Sequence, residues 1–476
     1  MAERFYLTTT LPYVNAEPHI GFALEIVQAD ILARYKRMTG VEVFFSTGTD
    51  EHGQKIFQKA REEGQDVREY VDHFARQFER LKADLDLSCD AFVRTTSPQH
   101  LKAAQALWSR CATNGDIYKK KYRGLYCVGD EAFIRESDLV DGKCPNHPAM
   151  ELITIEEENY FFRLSAYTGR LLEYLAREDS ILPGWRREEA IRFIKAGLED
   201  FSISREKARM NWGVPVPGDD DQVIYVWFDA LTNYISTLGW PDDVEGNFER
   251  FWRNGEVVQV AGKDQVRFQS IMWQAMLMSG KIKNTDKIIY HGFITSGGQK
   301  MSKSLGNVIE PFTLTRDYGI DPLRLFFSRH IHSFEDSDFT ISRFKEAYSS
   351  DLVNGLGNLV ARIMQLAQTH LREGVRPELK HLPVEYSDAF RSFEIKRAAD
   401  YLWGRIAALN QKISDTAPFK LVKTDPERGR SLIADLAEDL YLIAWMLGPL
   451  MPGTSKKIQE AILSNKKPEN LFPRKD

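Results

Sequence analysis

Two lysines, Lys300 and Lys303, stand three residues apart in the segment Gly-Gly-Gln-Lys-Met-Ser-Lys-Ser-Leu-Gly-Asn, residues 297–307. Glycines precede the pair, so the backbone there can bend. The apolar run before it, Lys287–Thr295, predicts a buried strand. Ammonium groups on a glycine-rich loop at a strand's end can stabilise a polyphosphate as its charge builds up. From the spacing of the lysines alone, a solvated surface loop is as good an interpretation as a polyphosphate-binding loop.

A second candidate pair, His19 and Gly21, stands at the start of a predicted helix. Apolar residues recur on one face from residue 20 to residue 38, between a strand at Arg4–Thr10 and a strand at Val41–Ser46. This βαβ pattern predicts a parallel sheet, which binds ligands at the carboxyl ends of its strands. There a histidine can donate to phosphate, and a glycine lets a base approach the backbone. A helix cap and a turn residue are the alternative.

A carboxylate, Asp50, follows the second predicted strand in Thr-Asp-Glu-His-Gly. At the same edge of the sheet it can pair with a substrate ammonium group. A helix N-cap is an equally good local interpretation.

A possible metal knuckle is formed by Cys127-x-x-Asp130 and Cys144-x-x-His147. The paired spacing is typical of zinc, but structural zinc sites favour sulfur and imidazole over carboxylate. Because of Asp130 we expect a knuckle held by packing without zinc, and an occupied site stays the alternative.

The bulk composition predicts a soluble globular protein of two or three domains: 476 residues, 43% of them hydrophobic and 28% charged. The net charge of −5 does not favour a wholly basic nucleic-acid-binding protein. Four cysteines, a charged N-terminus and the lack of a long apolar stretch predict a cytoplasmic protein with no membrane segment. Neither a P-loop nor a Gly-x-Gly-x-x-Gly motif occurs.

The remaining pattern predicts a sheet interrupted by an insertion, followed by helices. Five regions are expected: 1–115, 116–211, 212–320, 321–350 and 351–476. Further elements predicted from periodicity are helices at Gln54–Leu85, Asn159–Tyr174 and Arg187–Leu198, and strands at Tyr122–Glu131, Phe133–Leu139, Val223–Phe228 and Val257–Ala261.

The chain resembles the class I aminoacyl-tRNA synthetases, and among them the methionyl-tRNA synthetase family. The resemblance covers the whole chain. It is carried by Leu-Pro-Tyr-Val-Asn, His-Ile-Gly, Thr-Asp-Glu-His-Gly, Trp-Gly-Val-Pro-Val-Pro-Gly, Tyr-Val-Trp-Phe-Asp-Ala-Leu and Lys-Met-Ser-Lys-Ser. The insertion is too short for the editing domain of the leucine, isoleucine and valine enzymes.

The fold class that the resemblance implies is α/β: a Rossmann-like parallel-sheet catalytic domain with an inserted connective domain, then an all-α helical-bundle anticodon-binding domain. Residues 1–115 and 212–320 would be the two catalytic halves, and 116–211 the knuckle-bearing insertion. Residues 321–350 would be a stem-contact linker, and 351–476 the anticodon-binding domain.

The resemblance also implies site residues. The methionine side chain would be lined by Leu11, Tyr13, Trp227, Ala230, Tyr234, Phe268 and Trp273, with Asp50 on the amino group. A thioether makes favourable contacts with aromatic rings. For any one of these rings taken singly, however, a place in the ordinary hydrophobic core is the better interpretation. ATP would be bound by His19, Gly21, Gly262, Asp264, Lys300 and Lys303, of which His19 and the two lysines are catalytic. The anticodon would be read by Asn358, Arg362 and Phe419.

The implied activity is a ligase reaction. ATP, with Mg²⁺, would convert L-methionine to methionyl-adenylate and pyrophosphate, and the methionyl group would pass to the terminal adenosine of tRNA(Met). Methionine exceeds homocysteine by one methyl group, and binding alone discriminates such a pair only about 10–200-fold. The family's editing of homocysteine in the synthetic site is therefore expected too.

Four residues depart from the family pattern: Phe22 and Gln269 replace histidines, Phe419 replaces tryptophan and Asp130 replaces cysteine. A monomer is expected, since the chain stops soon after the bundle. A non-catalytic RNA-binding relative and a class I synthetase for another amino acid remain as alternatives, which amino-acid-dependent pyrophosphate exchange distinguishes.

Overall fold

The structure is a computed structural model that describes residues 3–129, 132–134, 136–145, 147–301, 307–378 and 381–475. Asp130 and Lys303, two of the predicted site residues, lie outside the described residues. The chain divides into two compact units. The sheet unit comprises Met1–Pro18, Val41–Lys82 and Cys89–Tyr290, and the helical unit comprises His19–Gly40, Ala83–Ser88 and His291–Asp476.

The described strands, in chain order, are β1 (Arg4–Thr8), β2 (Glu42–Thr49), β3 (Ala91–Arg94), β4 (Ile117–Cys127), β5 (Ala132–Ile134), β6 (Ile153–Phe162), β7 (Ile181–Leu182), β8 (Phe201–Ser202), β9 (Ser204–Glu206), β10 (Pro215–Val216), β11 (Asp219–Ile224), β12 (Glu256–Gly262), β13 (Lys287–His291), β14 (Ile294–Ser296), β15 (Gln299–Lys300) and β16 (Ser337–Asp338).

The described α-helices are α1 (Ile20–Met38), α2 (Gln54–Glu62), α3 (Val67–Asp84), α4 (Pro98–Thr113), α5 (Thr168–Leu175), α6 (Gly184–Lys195), α7 (Val226–Leu231), α8 (Asn233–Ser236), α9 (Trp273–Ser279), α10 (Pro311–Tyr318), α11 (Ile320–Leu325), α12 (Ile341–Ala347), α13 (Asn358–His370), α14 (Val384–Arg391), α15 (Ile395–Thr416), α16 (Pro418–Thr424), α17 (Pro426–Leu447) and α18 (Pro452–Ser464). Among these helices none is both long and apolar enough to span a membrane.

The sheet unit is built on a six-stranded sheet with the order β3-β2-β1-β12-β13-β7. β1 pairs in parallel with β2 on one side and with β12 on the other. Both β1 and β12 are buried over almost their whole length, as expected for strands inside a parallel sheet. The chain order changes direction at β1, and ligands of such sheets bind beyond the carboxyl ends of the strands at this point.

The inserted part of the sheet unit carries a second sheet with the order β5-β4-β6-β8. β4 and β6 pair antiparallel, with Ile117 opposite Phe162 at one end and Tyr126 opposite Ile153 at the other. Burial alternates along most of β6, which is the pattern of a strand with one face on a core.

The helical unit contains α1 and the helices from α10 onwards. Helix α1 has the bounds that its apolar face predicted. Arg324 has no exposed surface and donates to Asp30 of α1 at 2.7 Å. The same guanidinium donates to the carbonyl oxygens of Leu85, Pro449 and Leu450 at 3.0–3.1 Å. A buried charge is tolerated there because each of the three guanidinium nitrogens has at least one acceptor and one of the four acceptors is a carboxylate.

Five predicted elements differ from the structure. Of the predicted strand Phe133–Leu139, only its first two residues lie in β5, and Glu136–Asp138 forms a 3₁₀ turn. Asn159–Phe162 belongs to strand β6 instead of a helix. Val226–Phe228 opens helix α7 instead of ending a strand. Gln54–Leu85 contains two helices, which Gly64 separates with a φ of +66°. Lys287–Thr295 divides into β13 and β14 at Gly292, where a side chain would lie 2.1 Å from the backbone of Glu335.

Candidate functional site

The carboxyl ends of β1 and β2 bring two predicted site residues together. Tyr13 and Asp50 form an isolated parallel bridge just beyond the paired strands. The Asp50 N–H donates to the Pro12 oxygen at 3.0 Å, and the Val14 N–H donates to the Asp50 oxygen at 3.2 Å. The Asp50 side chain is therefore held on a fixed backbone, and the residue is only 2% exposed. A carboxylate so buried suits an ammonium ligand.

Aromatic rings continue the site away from Asp50. Tyr13 and Trp227 meet edge to face, with centroids 6.2 Å apart, and Trp227 stacks on Phe268 at 3.7 Å. Tyr234 and Trp273 contact one another at 5.6 Å. We refer to these five residues as the aromatic wall. The structure thus brings together, in two groups, five of the side chains predicted to bind methionine; Ala230 is buried and Leu11 is partly buried.

Three polar atoms beside these rings are buried without a hydrogen-bond partner among the described residues: Trp227 Nε1, Trp273 Nε1 and Gln269 Oε1. The amide nitrogen of Gln269 donates to the Tyr234 hydroxyl. Gln269, which replaces the family's histidine, therefore contacts a residue of the wall. Orphaned polar atoms of this kind are unusual in a folded interior and are typical of a site that a ligand completes.

A buried carboxylate that sequence reasoning did not single out holds this region together. Asp229 of α7 bonds His52 and His100, one with each oxygen and both at 2.7 Å. His100 also contacts Ser236 at 2.9 Å. Burial alone would raise the pKa of Asp229, but the two imidazoles lower it to about 2. Asp229 thereby connects the chain just after Asp50 to the helix that carries Trp227.

The predicted ribose contacts, Gly262 and Asp264, lie at the carboxyl end of β12, next to β1 in the sheet. Gly262 is buried and Asp264 is exposed, with its carboxylate accepting a hydrogen bond from Gln265 at 2.9 Å. Both residues therefore lie where the strand order changes direction, between β1 and β12, which is where parallel sheets of this kind bind ligands.

In the helical unit, His19 caps α1. Its Nδ1 accepts a hydrogen bond from the Gly21 N–H at 3.1 Å, so the neutral ring carries its proton on Nε2. Desolvation lowers the pKa of His19, although the residue keeps an exposed edge. A Cβ at Gly21 would lie 2.9 Å from the His19 ring, which explains the need for glycine. His19 is thus a helix cap, as in the alternative interpretation, whereas Gly21 lies inside α1 and not in a turn. The cap uses only Nδ1, so Nε2–H can still act as a donor.

The lysine segment begins as a hairpin. β14 and β15 pair antiparallel, with Thr295 opposite Lys300. Further along the chain, Ile309 contacts the start of α1. The Ile20 N–H donates to the Ile309 oxygen at 3.1 Å. The first turn after His19 is therefore bonded to the chain that follows the lysine pair.

The knuckle residues converge. One ligand atom each from Cys127, Cys144 and His147 lies within 4.8 Å of the others, and Cys127 Sγ is 3.9 Å from His147 Nδ1. A Cβ at Gly129 would lie 2.4 Å from the His147 ring, so the glycine makes room for the imidazole. Two thiols and one imidazole around a point are a donor set that fits zinc.

Two of the three predicted anticodon residues, Arg362 and Phe419, line one surface depression, and Asn358 is not among its lining residues. Asn358 opens α13, Arg362 follows one turn later, and Phe419 projects from α16 with 47% of its surface exposed. A depression of about 400 Å³, here the helical depression, is lined by Ala361, Arg362, Gln365, Leu366, Ile413, Phe419 and Lys467. Sequence reasoning missed Gln365 and Lys467, whose side chains meet at 3.2 Å.

Comparisons with known proteins agree with this geometry. A family model described as "tRNA synthetases class I (M)" matches residues 5–152 and 148–364. A second, "Anticodon binding domain of methionyl tRNA ligase", matches residues 367–473.

Relatives match over nearly the whole chain. The methionine–tRNA ligase of Fusobacterium nucleatum is 38% identical, over 99% of this chain and 76% of the relative. That of Thermotoga maritima is 40% identical, over 98% of this chain and 76% of the relative. The structure of Mycobacterium tuberculosis methionyl-tRNA synthetase in complex with methionyl-adenylate superposes with a TM-score of 0.90 at 34% identity, covering 99% of this chain and 100% of that one.

The interrupted parallel sheet and the helical C-terminal part are the architecture of a class I aminoacyl-tRNA synthetase. Within that class, the chain belongs to the methionyl-tRNA synthetase family. The predicted family and fold class are confirmed.

Proposed function

We propose that this chain is the ligase that joins L-methionine to tRNA(Met) in two steps. The methionine carboxylate attacks the α-phosphorus of ATP, and the bond to pyrophosphate breaks as methionyl-adenylate forms. The terminal ribose hydroxyl of the tRNA then attacks the adenylate carbonyl, and AMP leaves. Neither step needs a covalent enzyme nucleophile, so binding and charge stabilisation by the protein supply the rate.

The observation that carries this proposal is the burial of Asp50, whose backbone pairs with that of Tyr13, while the Tyr13 ring contacts Trp227. Asp50 would bind the ammonium group of methionine, and the aromatic wall would take the thioether. The orphaned atoms on Trp227, Trp273 and Gln269 are polar groups that the substrate can complete. Leu11 and Ala230 would close the apolar side.

The residues that would bind ATP are proposed from the chemistry of their side chains. His19 would donate Nε2–H to a phosphate oxygen, and Lys300 and Lys303 would stabilise the charge that builds up on the leaving pyrophosphate. Gly21 and Gly262 would let the nucleotide approach the backbone, and Asp264 would bind the ribose hydroxyls. Mg²⁺ bound to ATP would neutralise phosphate charge.

Zinc is a further proposal. Cys127, Cys144 and His147 would hold it, and it would stabilise the inserted sheet as a structural metal. The expectation of an empty knuckle stays open, and metal analysis of the purified protein would decide between the two.

The helical depression would bind the anticodon of tRNA(Met), with Phe419 stacking on a base and Arg362 and Asn358 reading base edges. We also propose a cytoplasmic monomer, to be tested by light scattering of the purified protein.

Methionine-dependent exchange of labelled pyrophosphate into ATP tests the activity. Exchange with methionine and not with leucine, isoleucine or valine supports the proposal. No exchange, together with intact tRNA binding, would favour a non-catalytic RNA-binding relative.

A further inference from the structure

The hairpin that delivers Lys300 turns through two glycines. Gly297 and Gly298 have φ angles of +62° and +73°, between strands in which Ser296 lies opposite Gln299. Such a two-residue turn is favoured in hairpins, but two glycines leave it with large conformational freedom. The position of the Lys300 backbone therefore depends on contacts that hold the turn.

Asp338, at the end of β16, makes such contacts. One oxygen of its carboxylate accepts a hydrogen bond from the Thr295 hydroxyl at 2.7 Å and another from the Gly298 N–H at 2.8 Å. Partial burial alone would raise the pKa of Asp338. The hydrogen bonds from the Gly298 N–H and the Thr295 hydroxyl, and the positive charge of Arg343, lower it. The group is therefore an anion at neutral pH, and its hydrogen bonds are charge-assisted.

The backbone next to Asp338 is itself fixed in the helical unit. β16 pairs in parallel with β14, and the Phe339 N–H donates to the Thr295 oxygen at 2.9 Å. Before the hairpin, His291 contacts Glu25 of α1 at 2.9 Å. After the lysine pair, the chain returns to α1 through the bond between Ile20 and Ile309. The glycine turn lies between these attachments, and Asp338 joins it to the rest of the unit.

We propose that Asp338 is a positioning residue for the first reaction step: its carboxylate holds the glycine turn so that Lys300 is presented at the place where pyrophosphate charge develops. The proposal rests on the proposed function for the role of Lys300. Its physical part, that Asp338 orders the hairpin, stands on the contacts above. Because Asp338 would touch neither ATP nor methionine, its loss should slow the chemical step without weakening methionine binding.

The test compares Asp338→Ala and Asp338→Asn with the matched control Glu335→Ala, which removes an exposed carboxylate from the same segment. Misplacement of a catalytic group by about 1 Å can cost about 100-fold in rate. We expect kcat for pyrophosphate exchange to fall about 10- to 100-fold in Asp338→Ala, with the KM for methionine within twofold of wild type. Asparagine keeps an oxygen that can accept both hydrogen bonds, so Asp338→Asn should recover most of the loss.

Limited trypsin digestion gives a second measurement that does not need activity. Cleavage after Lys300 should be several-fold faster in Asp338→Ala than in the wild type or in Glu335→Ala. If wild-type protein exchanges no pyrophosphate, the proposed function fails, and the digestion alone decides whether Asp338 holds the hairpin. If the wild type is active but Asp338→Ala keeps wild-type kcat and wild-type cleavage, the inference is wrong and the function stands. A folding defect would appear in both Asp338 variants as a lowered Tm and a changed methionine KM, which also contradicts the inference.

Discussion

The aromatic wall and the helical depression differ most in how far they exclude water. Trp273 and Tyr234 of the wall are 0% and 2% exposed and its other three rings are partly buried, whereas Phe419 beside the depression is 47% exposed. The wall stands next to a buried carboxylate, Asp50, and the depression next to cations, Arg362 and Lys467. Each region pairs aromatic surface with charge, but only the first keeps that charge away from solvent.

This difference fits the ligands that we propose for the two regions. A thioether has almost no hydrogen-bonding capacity, so selectivity for it requires a dry and closely fitting surface. A nucleotide base offers a flat face and polar edges, so an exposed ring and a few mobile cations suffice. We therefore expect single changes in the buried region to be costly and changes in the exposed region to be graded.

Removing the charge of Asp50 should have the largest effect. In Asp50→Asn the methionine ammonium loses its buried partner, and truncating one member of such a pair costs about 2–5 kcal/mol. We expect kcat/KM for methionine in pyrophosphate exchange to fall about 100-fold or more, with the KM for ATP little changed. Glu62→Gln, an exposed carboxylate of α2, is the control. If Asp50→Asn retained kcat/KM within threefold, the buried carboxylate would not be the ammonium site.

Asp229 tests whether the buried region depends on a charge that is bound by two histidines of the protein itself. Its pKa lies near 2 in the folded protein and near 3.8 otherwise, so its stabilisation is complete above about pH 4 and is lost as the pH falls towards 2. The contribution is about 2 kcal/mol. Urea unfolding between pH 3 and pH 7 should show a steeper acid loss in the wild type than in Asp229→Asn.

The exposed ion pair of Asp242 with Lys102 supplies the control, because Asp242→Asn should leave that acid dependence unchanged. Equal pH dependence in the wild type and in Asp229→Asn would show that the two imidazoles do not stabilise the carboxylate.

Sequence patterns were informative where neighbours in space follow from local rules. The face of α1, the parallel sheet and the meeting of Tyr13 with Asp50 all follow from periodicity and from the common edge of parallel strands. The stacking of Trp227 on Phe268 does not follow from such rules, and only the family resemblance suggested that these residues share a site.

The missed residues are those whose partners lie far along the chain. Asp229 is separated from His52 by 177 positions and from His100 by 129, and no local pattern links them. Gln365 and Lys467 meet across 102 positions. In β6, two of the buried positions, Glu157 and Asn159, are polar, so the alternation of burial does not appear as an alternation of apolar residues. Pairing across the chain decided these features, and periodicity does not encode it.

Phe419 should show the graded behaviour expected of the exposed region. Stacking of one base on an aromatic ring is worth about 1–3 kcal/mol, so Phe419→Ala should lower kcat/KM for tRNA(Met) about 5- to 150-fold. Phe419→Trp should equal or exceed the wild type, since the larger ring offers more stacking surface. Pyrophosphate exchange should be unaffected. Trp185→Ala, which removes an equally exposed ring, is the control; an equal loss in that variant would mean that the effect is not local to the depression.

Lys467 should have the smallest effect, and its salt dependence is the more informative measurement. The side chain lines the helical depression together with Phe419 and contacts Gln365 at 3.2 Å, and an ammonium group there can bind a backbone phosphate. Loss of one phosphate contact reduces the slope of log K against log salt by about 1, whereas loss of a base contact leaves the slope unchanged. We expect Lys467→Ala to show the reduced slope in tRNA binding.

The neighbouring Lys466 lines an adjoining depression that Lys467 also lines, but it does not line the helical depression, so Lys466→Ala should keep the wild-type slope. If Lys467→Ala had the same salt slope as Lys466→Ala, Lys467 would not bind a phosphate. Arg362 would then be the cation of the helical depression that contributes to tRNA binding. The contrast between the two regions would then reduce to solvent exposure.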